Sequence, residues 1–324
     1  MRVAITTCVF DTVYSPFLMI RVLGTAFAAL MGLAFGSFLN VCLTRWPAGE
    51  SIVKPRSHCR NCGRTLAWWE NVPLVSWLAL RGRCRTCGSW IGWRYVIVEF
   101  VVGVSWALET WQSFHPEILS APNLIIDGFW FIFLHGLSQM LFIWMLVGLA
   151  VLDAEHFWLP DRLTWTGIVT GALARALFVV PLMGIDESTY GELPEFDPLN
   201  ALGGIWIFLS PLLAALLAAA LIILIRWIYK LIRHREGLGL GDAKLMAMLA
   251  AWLGLPGALL SFAIGVCLGS LVAIVLLVRR TKSETGESWA GTKLPLGTFL
   301  CIGGIVSSLW GQPIIATYLH WAGF

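Results

Sequence analysis

Charge is what this sequence has least of. Only 13% of its 324 residues are Asp, Glu, Lys or Arg, where a soluble domain of this length carries roughly a quarter. Hydrophobic residues make up 58%, and the mean hydropathy is +0.78. An ordinary soluble domain is thereby excluded, and several membrane spans are expected. The net charge of +3 is small and scattered, which argues against a nucleic-acid partner. Other things are missing too. There is no Ser/His/Asp set, no H-E-x-x-H and no glycine-rich phosphate loop, so the hydrolase and nucleotide-binding chemistries they carry find no support. Neither an internal repeat nor a low-complexity tract is evident. The first apolar run follows about 15 mixed residues including Asp11 and has no small-residue cleavage site, so no cleavable signal peptide is expected.

What is present is a series of about eight apolar runs, near 17–43, 95–113, 128–152, 163–183, 201–231, 243–255, 257–278 and 294–319. The run at 243–255 is short for a hydrocarbon core of roughly 30 Å. The connections alternate in basic content. The stretch 44–94 holds Arg45, Lys54, Arg56, Arg60, Arg64, Arg81, Arg83, Arg85 and Arg94. Residues 226–244 add Arg226, Lys230, Arg233, Arg235 and Lys244, and 279–293 add Arg279, Arg280, Lys282 and Lys293. The stretch 184–200 carries five acids and no Lys or Arg. By the positive-inside rule the basic connections face the cytoplasm, and eight spans put both termini outside. The 18 tryptophans, many at run ends, read as an interfacial belt.

Four of the eight cysteines form two C-x-x-C pairs, Cys59/Cys62 and Cys84/Cys87, with 21 residues between the pairs. That is the spacing of a four-thiolate zinc site. Gly63 and Gly88 follow the pairs and suit turns that aim backbone N–H groups at thiolates. In a cytoplasmic loop disulfides are disfavoured, and a structural zinc would fold a segment too small to stabilise itself through a core. A redox pair, or cysteines without function, are the alternatives. Cys42, Cys267 and Cys301 lie in apolar runs and read as small buried hydrophobes.

An acid inside an apolar span costs roughly 2.5–3.5 kcal/mol at its centre, so each one invites a function. Asp153 closes the third run, and Asp242 opens the sixth after Gly237, Gly239 and Gly241. Both fall at the cytoplasmic boundary, which brings two carboxylates to one depth. Aspartic proteolysis needs such a pair: one carboxylate takes a proton from water and its protonated partner donates to the scissile carbonyl. An N-cap for a helix beginning at Ala243 is an equal reading of Asp242. Asp161, after Pro160, reads as a helix cap, and Glu155 and His156 as a wet turn. Glu99 either pairs with Arg94 or serves a second site. Arg175 faces the bundle interior or snorkels.

These features sit within a longer series: Gly36-Ser37-Phe38-Leu39-Asn40-Val41, Arg45-Trp46-Pro47, Pro55 through Cys62, Asn71-Val72-Pro73, Gly82 through Cys87, and Arg94-Tyr95 through Glu99. It continues with Asp153 through Asp161, Gly239-Leu240-Gly241-Asp242-Ala243-Lys244, and Leu294-Pro295-Leu296-Gly297. With them the chain resembles the type IV prepilin peptidase family, bifunctional leader peptidases and N-methyltransferases. The resemblance implies that Asp153 and Asp242 are the catalytic pair, with Asp153 preferred to Asp161. It also implies that Cys59, Cys62, Cys84 and Cys87 bind zinc, and that the substrates are type IV prepilin or pseudopilin precursors in membrane lipid. The new N-terminus would be methylated from S-adenosylmethionine, for which no residues are assigned. Leu296 stands where the family usually has Phe.

The expected fold is an all-α polytopic inner-membrane protein of about eight transmembrane helices. It divides into a first span (17–43), a cytoplasmic zinc-binding loop domain (44–94) and a membrane-embedded peptidase domain (95–319). The rival readings are an ion-coupled transporter and a membrane scaffold with a zinc module. The first predicts acids near the midplane, whereas both acids here lie at an edge.

Overall fold

The computed structural model describes residues 2–114, 127–179, 198–234, 239–280 and 294–323. Eight α-helices account for most of them: α1 (Arg2–Arg45), the short α2 (Val75–Ala79), α3 (Trp93–Ser113), α4 (Asp127–His156), α5 (Asp161–Ala174), α6 (Pro198–Arg233), α7 (Leu240–Arg280) and α8 (Leu296–Ala322). A π-turn, Arg175–Val179, extends α5, and a 3-10 turn, Trp68–Asn71, precedes α2. Among the described residues no strand forms; two isolated β-bridges occur in the cysteine loop. This is an all-α polytopic membrane protein. Each expected apolar run falls on a helix, with 180–183 of the fourth lying outside the described residues, as do most of the acidic stretch 184–200 and of the basic connection 279–293. Among the described residues, five stretches are long and apolar enough to cross a membrane by length and composition: Leu18–Arg45, Ile132–His156, Leu209–Arg233, Leu240–Val278 and Leu296–Ala322.

Two compact units divide the chain, residues 1–148 and 149–324. In the first, α1 and α3 pack with their backbones almost touching. A Cβ on Gly32 would lie 2.8 Å from the Gly103 Cα, and one on Gly36 would lie 2.7 Å from the Glu99 Cα. Small residues four apart permit this approach where lipid supplies no hydrophobic drive between helices. One turn further along α1, Asn40 Nδ2 donates to the Tyr95 carbonyl at 3.0 Å. Leu39, Cys42 and Leu43 of α1 and Val98 and Val102 of α3 are buried in this unit.

The second unit is organised by α7. Its first half follows α5: Gly241 lies against Leu159, Lys244 pairs with Asp161, Met248 faces Gly167, and Trp252 packs on Gly171. The Trp252 indole N–H donates to the Gly167 carbonyl at 2.8 Å. At Gly254 the backbone leaves the helix (φ 72°, ψ 174°), a conformation that favours glycine. The second half then follows α8, with Gly257 at Ser307, Ser261 at Gly303, Gly265 at Leu300 and Gly269 at Phe299. Helices α5 and α8 both begin beside Asp153 and its neighbour Leu159. The two halves of α7 therefore run in opposite directions. This separates the sixth and seventh runs, and Pro256, without an N–H to give, closes the reversal.

Candidate active site

Asp153 occupies the last turn of α4, where a carboxylate opposes the helix dipole. Its compensation comes from another helix. The N–H of Thr298, in the first turn of α8, donates to Asp153 Oδ2 at 2.7 Å, and the Thr298 hydroxyl lies 3.2 Å from the same oxygen. The backbone of Gly297 adds a further hydrogen bond. The orphan N–H groups of a helix N-terminus thus hold a carboxylate that is only 6% exposed. No side chain fits at 297, since a Cβ there would lie 2.9 Å from Asp153 Oδ2.

Asp242 is the third residue of α7. Its Oδ2 accepts the Gly239 N–H at 3.0 Å, the return bond of a capping box. The helix begins at Leu240, not Ala243, so Asp242 reaches back from inside the first turn and is not itself the N-cap residue. Leu159 packs against Gly241 and Gly297. Its Cδ1 is 3.2 Å from where a Cβ would stand on Gly241 and equally far from that position on Gly297. Asp153 and Asp242 are within electrostatic range of one another, and Cys301 feels both. The second unit therefore brings both sequence-predicted acids to one place, each held through a single oxygen by the start of a helix.

The other acids stand apart. Asp161 is the first residue of α5 and makes no side-chain cap; its Oδ1 accepts from Lys244 Nζ at 2.6 Å in an exposed pair. Glu155 and His156 are exposed, 3.9 Å apart. Arg175 packs its guanidinium against the Gly254 backbone at the reversal. Buried Glu109 accepts from the Ser113 hydroxyl at 3.2 Å. Buried Glu99 accepts the Leu74 N–H at 2.8 Å and a hydrogen bond from Ser37. Sequence reasoning missed Thr298 and Leu159. A threonine three residues past a proline and a leucine before one carry no chemical mark; their roles exist only in the packing.

In the first unit the Sγ atoms of Cys59, Cys62, Cys84 and Cys87 all lie within 4.8 Å of one another, with Cys59 and Cys87 3.7 Å apart. A tetrahedral zinc with Zn–S bonds of about 2.3 Å needs sulfurs about 3.8 Å apart, so the four thiols fit a metal. The two C-x-x-C turns are built alike. Cys59 N–H donates to the Arg64 carbonyl, and Gly63 N–H returns to the Cys59 carbonyl, both at 2.9 Å. Cys84, Ser89 and Gly88 repeat these bonds at the same lengths. Gly63 and Gly88 take φ of 70° and 68°, and the bridges His58–Thr65 and Arg83–Trp90 close the two turns. The two turns thus repeat one local structure. The Cys62 backbone N–H holds the Cys59 thiol below its ordinary range. The Ser89 hydroxyl and N–H bring Cys87 down to about 5. Cys59 and Cys87 are thus favoured as thiolates, the form that binds metal, whereas against the Arg64 backbone hydrogen bond desolvation and the neighbouring thiols push Cys62 up to about 11. Beside them, Glu70 is buried and accepts from Arg64 at 2.6 Å and from the Ala67 N–H at 2.8 Å.

Residues 30–113 match the bacterial peptidase A24 N-terminal domain, and residues 140–274 match the type IV leader peptidase family. A prepilin leader peptidase/N-methyltransferase of Pseudomonas aeruginosa is 31% identical, covering 91% of this chain and 93% of that protein. One from Dichelobacter nodosus is 32% identical, covering 90% of this chain and 93% of that protein. The type 4 prepilin-like proteins leader peptide-processing enzyme of Escherichia coli is 32% identical, with coverages of 86% and 91%. No solved structure matches the chain with significance.

Proposed function

The chain belongs to the type IV leader peptidase family, and on that premise we propose that Asp153 and Asp242 are its catalytic pair. Its activity is removal of the leader peptide from type IV prepilin-like precursors, with N-methylation of the new terminus as the second step. The observation that carries the catalytic assignment is the position of the two acids. Each is held through Oδ2 by the first turn of a helix, and Leu159 packs against the glycines beside them. Two carboxyls close enough to share one proton titrate as a unit, and that is the arrangement proposed for this pair. The ionised member takes a proton from water, the water oxygen attacks the scissile carbonyl, and the protonated member donates to the carbonyl oxygen. Gly239 and Gly241 let an extended substrate backbone approach Asp242.

The four cysteines hold a structural zinc that folds 44–94, and S-adenosylmethionine supplies the methyl group of the second step. The basic connections orient the enzyme in the inner membrane with 44–94 and both acids at the cytoplasmic face. A basic leader retained there by its own charge meets the acids at the membrane surface, while the apolar helix of the precursor stays in the bilayer. Residues 95–319 form the embedded peptidase domain. The scaffold reading leaves the paired acids without a role, and the transporter reading leaves the four-cysteine loop without one. The experiment is cleavage of full-length precursor in detergent by Asp153→Asn and Asp242→Asn. Each is expected to leave the leader attached while folding and metal content stay normal. Normal cleavage by either variant contradicts the assignment.

A further inference from the structure

A cavity of about 710 Å³ in the first unit lies between the end of α1, the cysteine loop and the start of α3. That is the size of a small-molecule site, and neither peptidase acid lines it. Six polar side chains of the α1–α3 pair do, among them Ser37, Asn40 and Glu99. Asn40 is 2% exposed, and its Oδ1 has no hydrogen-bond partner, because the amide is oriented by the bond from Nδ2 to the Tyr95 carbonyl. A buried acceptor left without a donor is costly, and a ligand donor would remove that cost. Glu99 is 7% exposed, brought against α1 by the close approach at Gly36. Its Oε2 is engaged by the Leu74 N–H. The arginines around the same cavity are directed elsewhere. Arg45 donates to the Ser51 and Pro55 carbonyls, Arg60 to the Thr44 carbonyl and Arg64 to Glu70, while Arg85 lies over Trp69.

We propose that the Ser37–Asn40–Glu99 wall of this cavity is the site that takes the newly exposed α-ammonium group for N-methylation. The inference rests on the methyltransferase half of the proposed function. A primary ammonium offers three donors and one positive charge, and the wall offers an unpartnered amide oxygen, a hydroxyl and a carboxylate. An ammonium has no lone pair, so it must lose a proton before it can react. Glu99 takes that proton. The amine nitrogen then forms its bond to the methyl carbon as the carbon–sulfur bond of the sulfonium donor breaks. The electron pair of that bond stays on sulfur as a neutral thioether, and the product is a secondary ammonium.

The test uses the full-length detergent-solubilised enzyme and a synthetic peptide carrying the mature N-terminus, free or acetylated, with binding read by calorimetry. Wild type should bind the free peptide at least tenfold more tightly than the acetylated one, and Glu99→Gln should lose that preference. The amide keeps an acceptor for Leu74, so the fold is retained, which unchanged leader cleavage checks. Mass spectrometry of the product should show Glu99→Gln cutting normally but leaving the terminus unmethylated at neutral pH. Methylation should return as pH rises past the α-amino value of about 7.7–8.0. Equal binding of the two peptides by wild type, or normal neutral-pH methylation by Glu99→Gln, overturns the proposal. A wild type that never methylates yet prefers the free peptide removes the methyltransferase reading and leaves the ammonium site standing.

Discussion

The Thr298 N–H donates to Asp153 Oδ2 at 2.7 Å across 145 residues of sequence, tying the end of α4 to the start of α8. The threonine hydroxyl meets the same oxygen at 3.2 Å and the Ala150 carbonyl at 3.0 Å. Thr298→Val keeps the backbone donor and removes the hydroxyl. The expected result is a roughly tenfold fall in kcat, the equivalent of one hydrogen bond to a charged group, with KM for precursor unchanged. Steady-state kinetics on full-length precursor check it.

Gly297 tests the position of the same carboxylate more severely. An added Cβ would stand 2.9 Å from Asp153 Oδ2 and 3.2 Å from Leu159 Cδ1, so one of them must move. Gly297→Ala should lower cleavage by on the order of a hundredfold, the usual consequence of displacing a catalytic group by about 1 Å. Metal content should not change, because the cysteines belong to the other unit.

Asp161 provides the contrasting case. Its pair with Lys244 is exposed, with the Asp161 side chain 66% accessible. Such pairs contribute about 0–1 kcal/mol. Asp161→Asn should cleave within about twofold of wild type and unfold at nearly the same temperature.

The eight apolar runs and the two C-x-x-C turns were legible because period and spacing are local properties of a chain. The acids stood out because a carboxylate is costly where Asp153 and Asp242 lie. What decides their geometry was not legible. Leu159 is one leucine among many, and its place between Gly241 and Gly297 exists only after α4, α7 and α8 have packed. The α1–α3 approach at Gly32 and Gly36 likewise depends on Gly103 and Glu99, far along the chain. The break between 243–255 and 257–278 was marked by Gly254 and Pro256, but the reversal of direction was not.

Metal analysis of protein purified under reducing conditions should find about one zinc per chain. Cys62→Ser should lose most of it, and residues 44–94 should then become sensitive to protease, since the metal supplies the folding energy of so small a loop. Full zinc content in Cys62→Ser would refute the four-thiolate site.

The same loop should depend on pH through Glu70. The hydrogen bond from Arg64 holds its carboxyl below the ordinary range, with the Ala67 N–H assisting. A carboxyl lowered in the folded state contributes stability that is fully present above its unfolded value, about 4.3. That contribution is lost as pH falls through the lower folded value. The difference in protease resistance between wild type and Glu70→Gln should therefore be constant from pH 6 to 8, by about the same reasoning, and disappear in stronger acid. A difference that grows on acidification would reverse the sign and contradict the assignment.

The most direct test of the two-carboxylate account compares Asp153→Asn, Asp242→Asn and the double variant in single-turnover cleavage of one full-length precursor. Two acids that share a proton act as a unit, so removing either should cost nearly as much as removing both. The account predicts three rates that are equally low and close to background. Independent losses that multiply in the double variant, or substantial cleavage by either single variant, would contradict it.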